Sequence, residues 1–87
     1  MAMQIGDTNT VSTTVDNSST AKAVASGTLD VFSTPCMIAL MEQAASEYVQ
    51  KHLDDKHSSV GTKMQVKHLM ASPVGMAVSA TATVTGI

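Results

Sequence analysis

From Thr34 the sequence reads as a helix whose first two turns are apolar on nearly every side, and such a helix has to be wrapped by other structure. Thr34 is a good N-cap residue, and Pro35 suits the first helical position, where its missing N–H costs nothing. Met37, Met41, Ala44, Ala45 and Tyr48 recur at helical spacing, while Ile38, Leu40 and Val49 widen the stripe. Polar residues take over at Gln50, Lys51 and His52. A central helix is therefore expected over 34–53, with Asp54 to Ser58 as its exit loop.

Strands are the available wrapping. Thr10 to Val15 is rich in β-branched residues and weakly alternating, which suggests an edge strand within a polar N-terminal segment, residues 1–20. Asp16 to Ser19 reads as a turn, and 21–33 as a loop with short ordered pieces. Val60, Thr62, Met64, Val66 and His68 share one face of an alternating stretch, opposite Lys63, Gln65 and Lys67, so 59–69 is expected to be a strand. Ala71-Ser-Pro-Val-Gly75 carries two strong breakers and reads as a turn. Met76, Val78, Ala80, Ala82 and Val84 then alternate with Ser79, Thr81, Thr83 and Thr85, a half-buried strand over 76–85. The order strand, long helix, strand, strand defines an α+β chain. So few strands cover such a helix poorly, and the pattern implies a wider sheet, completed by another chain or by a longer domain.

Composition narrows the options. A chain of 87 residues is at most one domain, and at that size folding buries only ~60–65% of the unfolded surface. Phe32 and Tyr48 are the sole aromatics, so Ala, Val, Leu and seven Met must fill the core, and a partner chain is expected. A net charge of −2, with five Lys and no Arg, argues against a nucleic-acid partner. The one cysteine, Cys36, excludes an internal disulfide and fits a reducing compartment. The N-terminus lacks the basic and apolar regions of a signal peptide, and no apolar run approaches the ~18 residues of a membrane span. A soluble cytoplasmic protein without a membrane partner is expected.

Three side chains carry most of the available chemistry. A hydroxyl at a helix start (Thr34), a carboxylate among apolar neighbours (Glu42) and an imidazole on the apolar side of a strand (His68) can together make a small acyl-transfer site. Each has a plainer role: a cap, a solvated acid, a hydrogen-bonded core histidine. The helix N-terminus adds N–H groups and a positive dipole end that suit a developing oxyanion. A carboxylate among apolar residues is expected to be paired or raised in pKa. Thr34 and Glu42 lie eight residues apart on one helix, ~12 Å of rise, too far to hydrogen-bond within one subunit. If both serve one site, they act on different parts of a substrate or come from two chains. Cys36 ranks below Thr34 as a nucleophile, and His52 and His57 read as surface residues. Gly61 interrupts the strand pattern, as a bulge or as a close approach of ligand to backbone. No spacing of His, Cys and acids suggests a metal site.

The run from Leu29 through Thr34-Pro35-Cys36 to Glu42-Gln43-Ala44-Ala45, then Val60-Gly61-Thr62, Val66-Lys67-His68-Leu69 and Ser72-Pro73-Val74-Gly75-Met76, resembles the hotdog-fold thioesterases of the fluoroacetyl-CoA thioesterase-like group. The resemblance implies a hotdog fold, a long central helix wrapped by an antiparallel sheet, here partial and ending after the third strand. It implies catalytic roles for Thr34, Glu42 and His68, a substrate-lining Gly61 and a site near a homodimer interface. The implied reaction is hydrolysis of short-chain acyl-CoA thioesters, with CoA entering only as part of the substrate and no separate cofactor. His68 would be the base, acting on Thr34 or on water, and Glu42 would orient the partners or attack the carbonyl. The family often carries Ala at the position of Ser33. Two rival expectations are a non-catalytic hotdog protein that binds acyl-CoA or only self-associates, and a hydratase or dehydratase.

Overall fold

Helix and caps differ in one respect that matters for the site: Ser33, not Thr34, is the N-cap. A computed structural model describes residues 2–87, with strand β1 at Thr8–Thr14, helix α1 at Thr34–Gln50 and strand β2 at Ala77–Thr83. Ser33 has extended backbone, and its Oγ accepts a hydrogen bond from the Cys36 N–H at 3.1 Å. Thr34 and Pro35 are thus the first two helical residues. Proline is tolerated there because the first four N–H groups of a helix lack an intrahelical acceptor. The helix ends at Gln50 rather than at 53, and the His52 N–H closes a tighter turn onto Val49 O at 2.9 Å.

The two strands pair antiparallel, in register from Thr8 opposite Thr83 to Thr14 opposite Ala77. Asn9 and Val11 face inward with Val78, Ala80 and Ala82, while Thr10 and Thr81 join hydroxyls at 2.7 Å on the outer face. The helix lays Leu40, Ala44 and Tyr48, one turn apart, on this sheet. Val15, Phe32 and Leu40 form the core, with Val11, Cys36, Met37, Val78 and Ala80 packed around them. Two polar ties fasten β1 to the helix. Asn9 Nδ2 donates to Ala44 O at 2.9 Å, and Tyr48 Oη donates to Asp7 Oδ2 at 2.5 Å. The Tyr48 hydroxyl, helped by the Gln4 N–H, holds the Asp7 carboxyl below its usual range. Burial, then the Asp7 carboxylate, pushes the Tyr48 phenol up.

Irregular segments brace the helix start. Thr20 pairs with Phe32 and Val31 with Pro73 in isolated bridges, and the Phe32 N–H donates to Ser72 O at 2.8 Å. Gly75, at φ +95°, donates its N–H to Val15 O, a turn conformation that a side chain would strain.

One expected strand does not form. Residues 59–69 are irregular, and among the described residues no backbone hydrogen bond involves 58–71. An alternating pattern becomes a strand only when a neighbour takes its N–H and C=O groups, and among the described residues no strand pairs with this stretch. The final strand is correspondingly shorter than 76–85, running only where β1 pairs with it. The helix is also less wrapped than its composition implies: Ala39, Met41 and Ala45 are exposed on the side away from the sheet.

Candidate active site

The start of α1 and an irregular segment bring Thr34 and His68 together. The Ser33 cap fixes the first turn of α1, which projects Thr34 from the helix start. The Phe32 N–H bond to Ser72 O and the Val31–Pro73 bridge hold the chain just after His68 against the same point. Thr34 Oγ1 and His68 Nδ1 lie 2.6 Å apart, and both residues are half-buried. In the tautomer with its proton on Nε2, the imidazole accepts at Nδ1 from the hydroxyl, the arrangement of a base beside a nucleophile. This is the sole hydrogen bond made by any residue from 58 to 71 among the described residues.

His68 also lines a cavity of about 410 Å³ between the helix and β2. Phe32, Met37, Leu40, Met70, Val78 and Ala80 supply its apolar wall. No sequence periodicity links these residues, because the cavity is assembled from four separate segments. Ser33 was also hidden, although the Ser-Thr-Pro order does place two competent cap hydroxyls in succession.

Glu42 falls elsewhere. It is exposed, as in the plainer reading of a solvated helix acid, and it makes no hydrogen bond to Thr34 or His68. Its helical position turns it toward a wider groove of about 1020 Å³ between α1 and residues 59–64, shared with Ile38, Met41, Val60, Gly61 and Lys63. A Cβ on Gly61 would sit 3.1 Å from Glu42 Oε2, a tight contact that places this backbone close beside the carboxylate. The expected residues therefore form two pairs, Thr34 with His68 and Glu42 with Gly61. Of the remaining histidines, His57 is exposed and bonded to Asp54 at 2.5 Å, and His52 packs on the Tyr48 ring. Among the described residues, no cluster of three or more His, Cys, Asp or Glu could hold a metal ion, and no helix is long and apolar enough to cross a membrane.

A helix laid across an antiparallel sheet is the core of a hotdog fold. The family model for the fluoroacetyl-CoA-specific thioesterase FlK matches residues 15–87, and the chain belongs to that family of thioester hydrolases. A solved structure of the fluoroacetyl-CoA thioesterase FlK superposes with a TM-score of 0.92 at 28% identity, covering 100% of this chain and 69% of that one. A phenylalanine-to-alanine variant of that enzyme, in complex with fluoroacetate and CoA, matches at 0.91 with 27% identity, covering 98% and 73%. A threonine-to-serine variant in complex with acetyl-CoA matches at 0.91 with 26% identity, covering 98% and 68%. No curated protein sequence matches the chain. The fold is therefore an α+β hotdog, of which this chain spans a little over two thirds of the solved relative.

Proposed function

We propose that this protein hydrolyses short-chain acyl-CoA thioesters to a free acid and CoA, with Thr34 and His68 as its reacting pair. The observation that carries the reading is the 2.6 Å contact between Thr34 Oγ1 and His68 Nδ1 at the wall of an apolar cavity. His68 takes the proton of the Thr34 hydroxyl, or of a water in its place, as oxygen attacks the thioester carbonyl. The C–S bond then breaks and the proton passes from His68 to the departing CoA sulfur. Where Thr34 is the nucleophile, a water repeats the sequence on the acyl-threonine and releases the acid. The positive dipole end at the start of α1 favours the oxyanion formed on the way.

Glu42 and Gly61 are assigned to the same reaction from the neighbouring groove, where they contact another part of the substrate or serve a site completed by a second copy. A homodimer or higher homo-oligomer is supported by the apolar residues left exposed around that groove, Val60 at 84% and Met64 at 43% among them. The substrate brings its own CoA, and no further cofactor is invoked. A cytoplasmic setting agrees with the lone Cys36, and the lack of Arg agrees with the absence of a nucleic-acid partner.

The test is thiol release from acetyl-, fluoroacetyl- and propionyl-CoA, for the chain and for His68→Ala, Thr34→Ala and Glu42→Gln. Turnover that falls ~10²-fold or more in the first two variants supports the assignment. The exposure of Glu42 favours one rival reading, a hotdog protein that binds acyl-CoA or self-associates without turnover. Binding of acyl-CoA with no thiol release, unchanged by His68→Ala, would establish it.

A further inference from the structure

We propose that Lys63 binds the phosphate at the far end of the substrate's pantetheine arm, and so selects CoA thioesters over thioesters that carry no phosphate. The inference deepens the thioester reading of the Thr34–His68 site and rests on it.

The reacting pair and Lys63 lie on one path. His68 lines the cavity beside β2, and Lys63 lines the wider groove along α1. Met41 lines both, so the two spaces adjoin. Residues 68–70 border the first and 59–64 the second, so the irregular segment runs beside the helix from one into the other. A thioester with its acyl group in the cavity and its carbonyl at Thr34 and His68 therefore has the groove as the course for its other end.

Reach agrees with this course. Lys63 stands five residues before His68, and five fully extended residues span at most ~18 Å. The arm between the thioester sulfur and the first phosphate of CoA is a chain with two amides, about as long as four extended residues, or ~14 Å. The flexible four-carbon stem of a lysine takes up the difference.

Charge singles out the same residue. Glu42 and Lys63 are the charged side chains that line the groove, and Glu42 stands beside Gly61, where it repels an anion. Lys63 is exposed and makes no hydrogen bond or ion pair among the described residues, in which the one ion pair joins His57 to Asp54. The other four lysines line neither space, and the chain has no Arg. An ammonium is a compact point charge with three donors, which suits a phosphate approached from any side.

The experiment compares thiol release from acetyl-CoA, acetyl-phosphopantetheine and acetyl-pantetheine. The proteins are the unmodified chain, Lys63→Gln, Lys63→Glu, Lys63→Arg and Lys56→Gln, the last making the same charge change outside the groove. Lys63→Gln is expected to raise KM about fivefold for the two phosphorylated substrates with kcat near the parent's, the mark of binding lost equally in ground and transition states. Lys63→Glu is expected to raise it further, and Lys63→Arg to keep it within about twofold. KM for acetyl-pantetheine is expected to be the same in Lys63→Gln as in the parent. In about 0.5 M salt most of the contrast should vanish, because charges are then screened beyond about 4 Å. An unchanged KM for acetyl-CoA in Lys63→Glu overturns the proposal, as does an equal rise for acetyl-pantetheine or an equal effect of Lys56→Gln. An effect on acetyl-CoA that is missing from acetyl-phosphopantetheine overturns it too, since the contact would then lie at the nucleotide end. Calorimetric binding of CoA and of pantetheine reads the same contrast without turnover. A chain that releases no thiol, yet binds CoA about fivefold more weakly as Lys63→Gln with pantetheine unaffected, upholds the phosphate contact and sinks only the hydrolase reading.

Discussion

The two sides of α1 carry similar residues and meet different fates. Toward the sheet, Leu40, Ala44 and Tyr48 are buried, and β1 is fastened by paired backbone and by the Asn9 and Asp7 ties. Toward residues 59–64, Met41, Glu42 and Ala45 are exposed beside a stretch with no backbone hydrogen bond. Apolar residues alone therefore do not order a segment. Ordered packing here follows the places where N–H and C=O groups find partners, because leaving them unpaired away from water is costly.

The sharpest break of the contrast is Phe32→Ala. Phe32 is 5% exposed at the centre of the core cluster, and its truncation is expected to remove roughly 3–5 kcal/mol from a domain with about 5–15 to lose. Urea unfolding would measure it, and a loss below about 1 kcal/mol would mean that the sheet side is not the stable half. Thr34→Val acts on the other side. It should leave stability within about 1 kcal/mol of the parent while thiol release falls ~10²-fold. Trypsin cleavage after Lys63 and Lys67 should speed up; unchanged cleavage would show that the Thr34–His68 bond does not hold this segment.

Smaller effects come from the ties. Asp7 has a folded pKa below its ordinary 3.8, so its contribution is present above the unfolded value and is lost as pH falls through the folded one. Tyr48 is raised above 10.0, so its contribution is present below that value and is lost as pH rises through the folded one. Asp7→Asn should therefore flatten the acid limb of a plot of thermal midpoint against pH, and leave its slope near neutrality unaltered. An acid limb as steep as the parent's counts against the Asp7–Tyr48 tie. Gly61→Ala is expected to have the smallest effect on stability, within about 0.5 kcal/mol, because the Glu42 carboxylate is the movable end of a flexible side chain. Its value is as a probe: a severalfold loss of thiol release at unchanged stability would tie the Glu42 groove to the reaction, and full activity would detach it.

Local pattern was legible wherever local rules were enough. The start of the helical run at Thr34-Pro35, the alternation of Val78, Ala80 and Ala82, the turn at Pro73–Gly75 and the Asp16–Ser19 turn follow from capping, pleat and breaker chemistry. The family followed from the order of short motifs. Less legible was anything that needs two distant segments at once. The alternation of 59–69 is genuine, yet a strand is a property of a pair. Glu42 was expected to be paired or raised in pKa because its sequence neighbours are apolar, whereas its surroundings depend on what crosses that face of the helix.

The opening feature, an apolar helix beginning at a hydroxyl and a proline, was thus determined by the sequence in its existence and approximate length. Sequence alone also supplied the candidate side chains Thr34, Glu42, His68 and Gly61. Tertiary structure decided how they divide: Thr34 with His68 at a contact of 2.6 Å, Glu42 with Gly61 across the helix. It also decided which hydroxyl caps the helix. Propensity at Ser33 and Thr34 is nearly balanced, and such a balance is settled by burial and by the hydrogen bonds of Ser19, Cys36 and Met37 to Ser33, which no local rule can count.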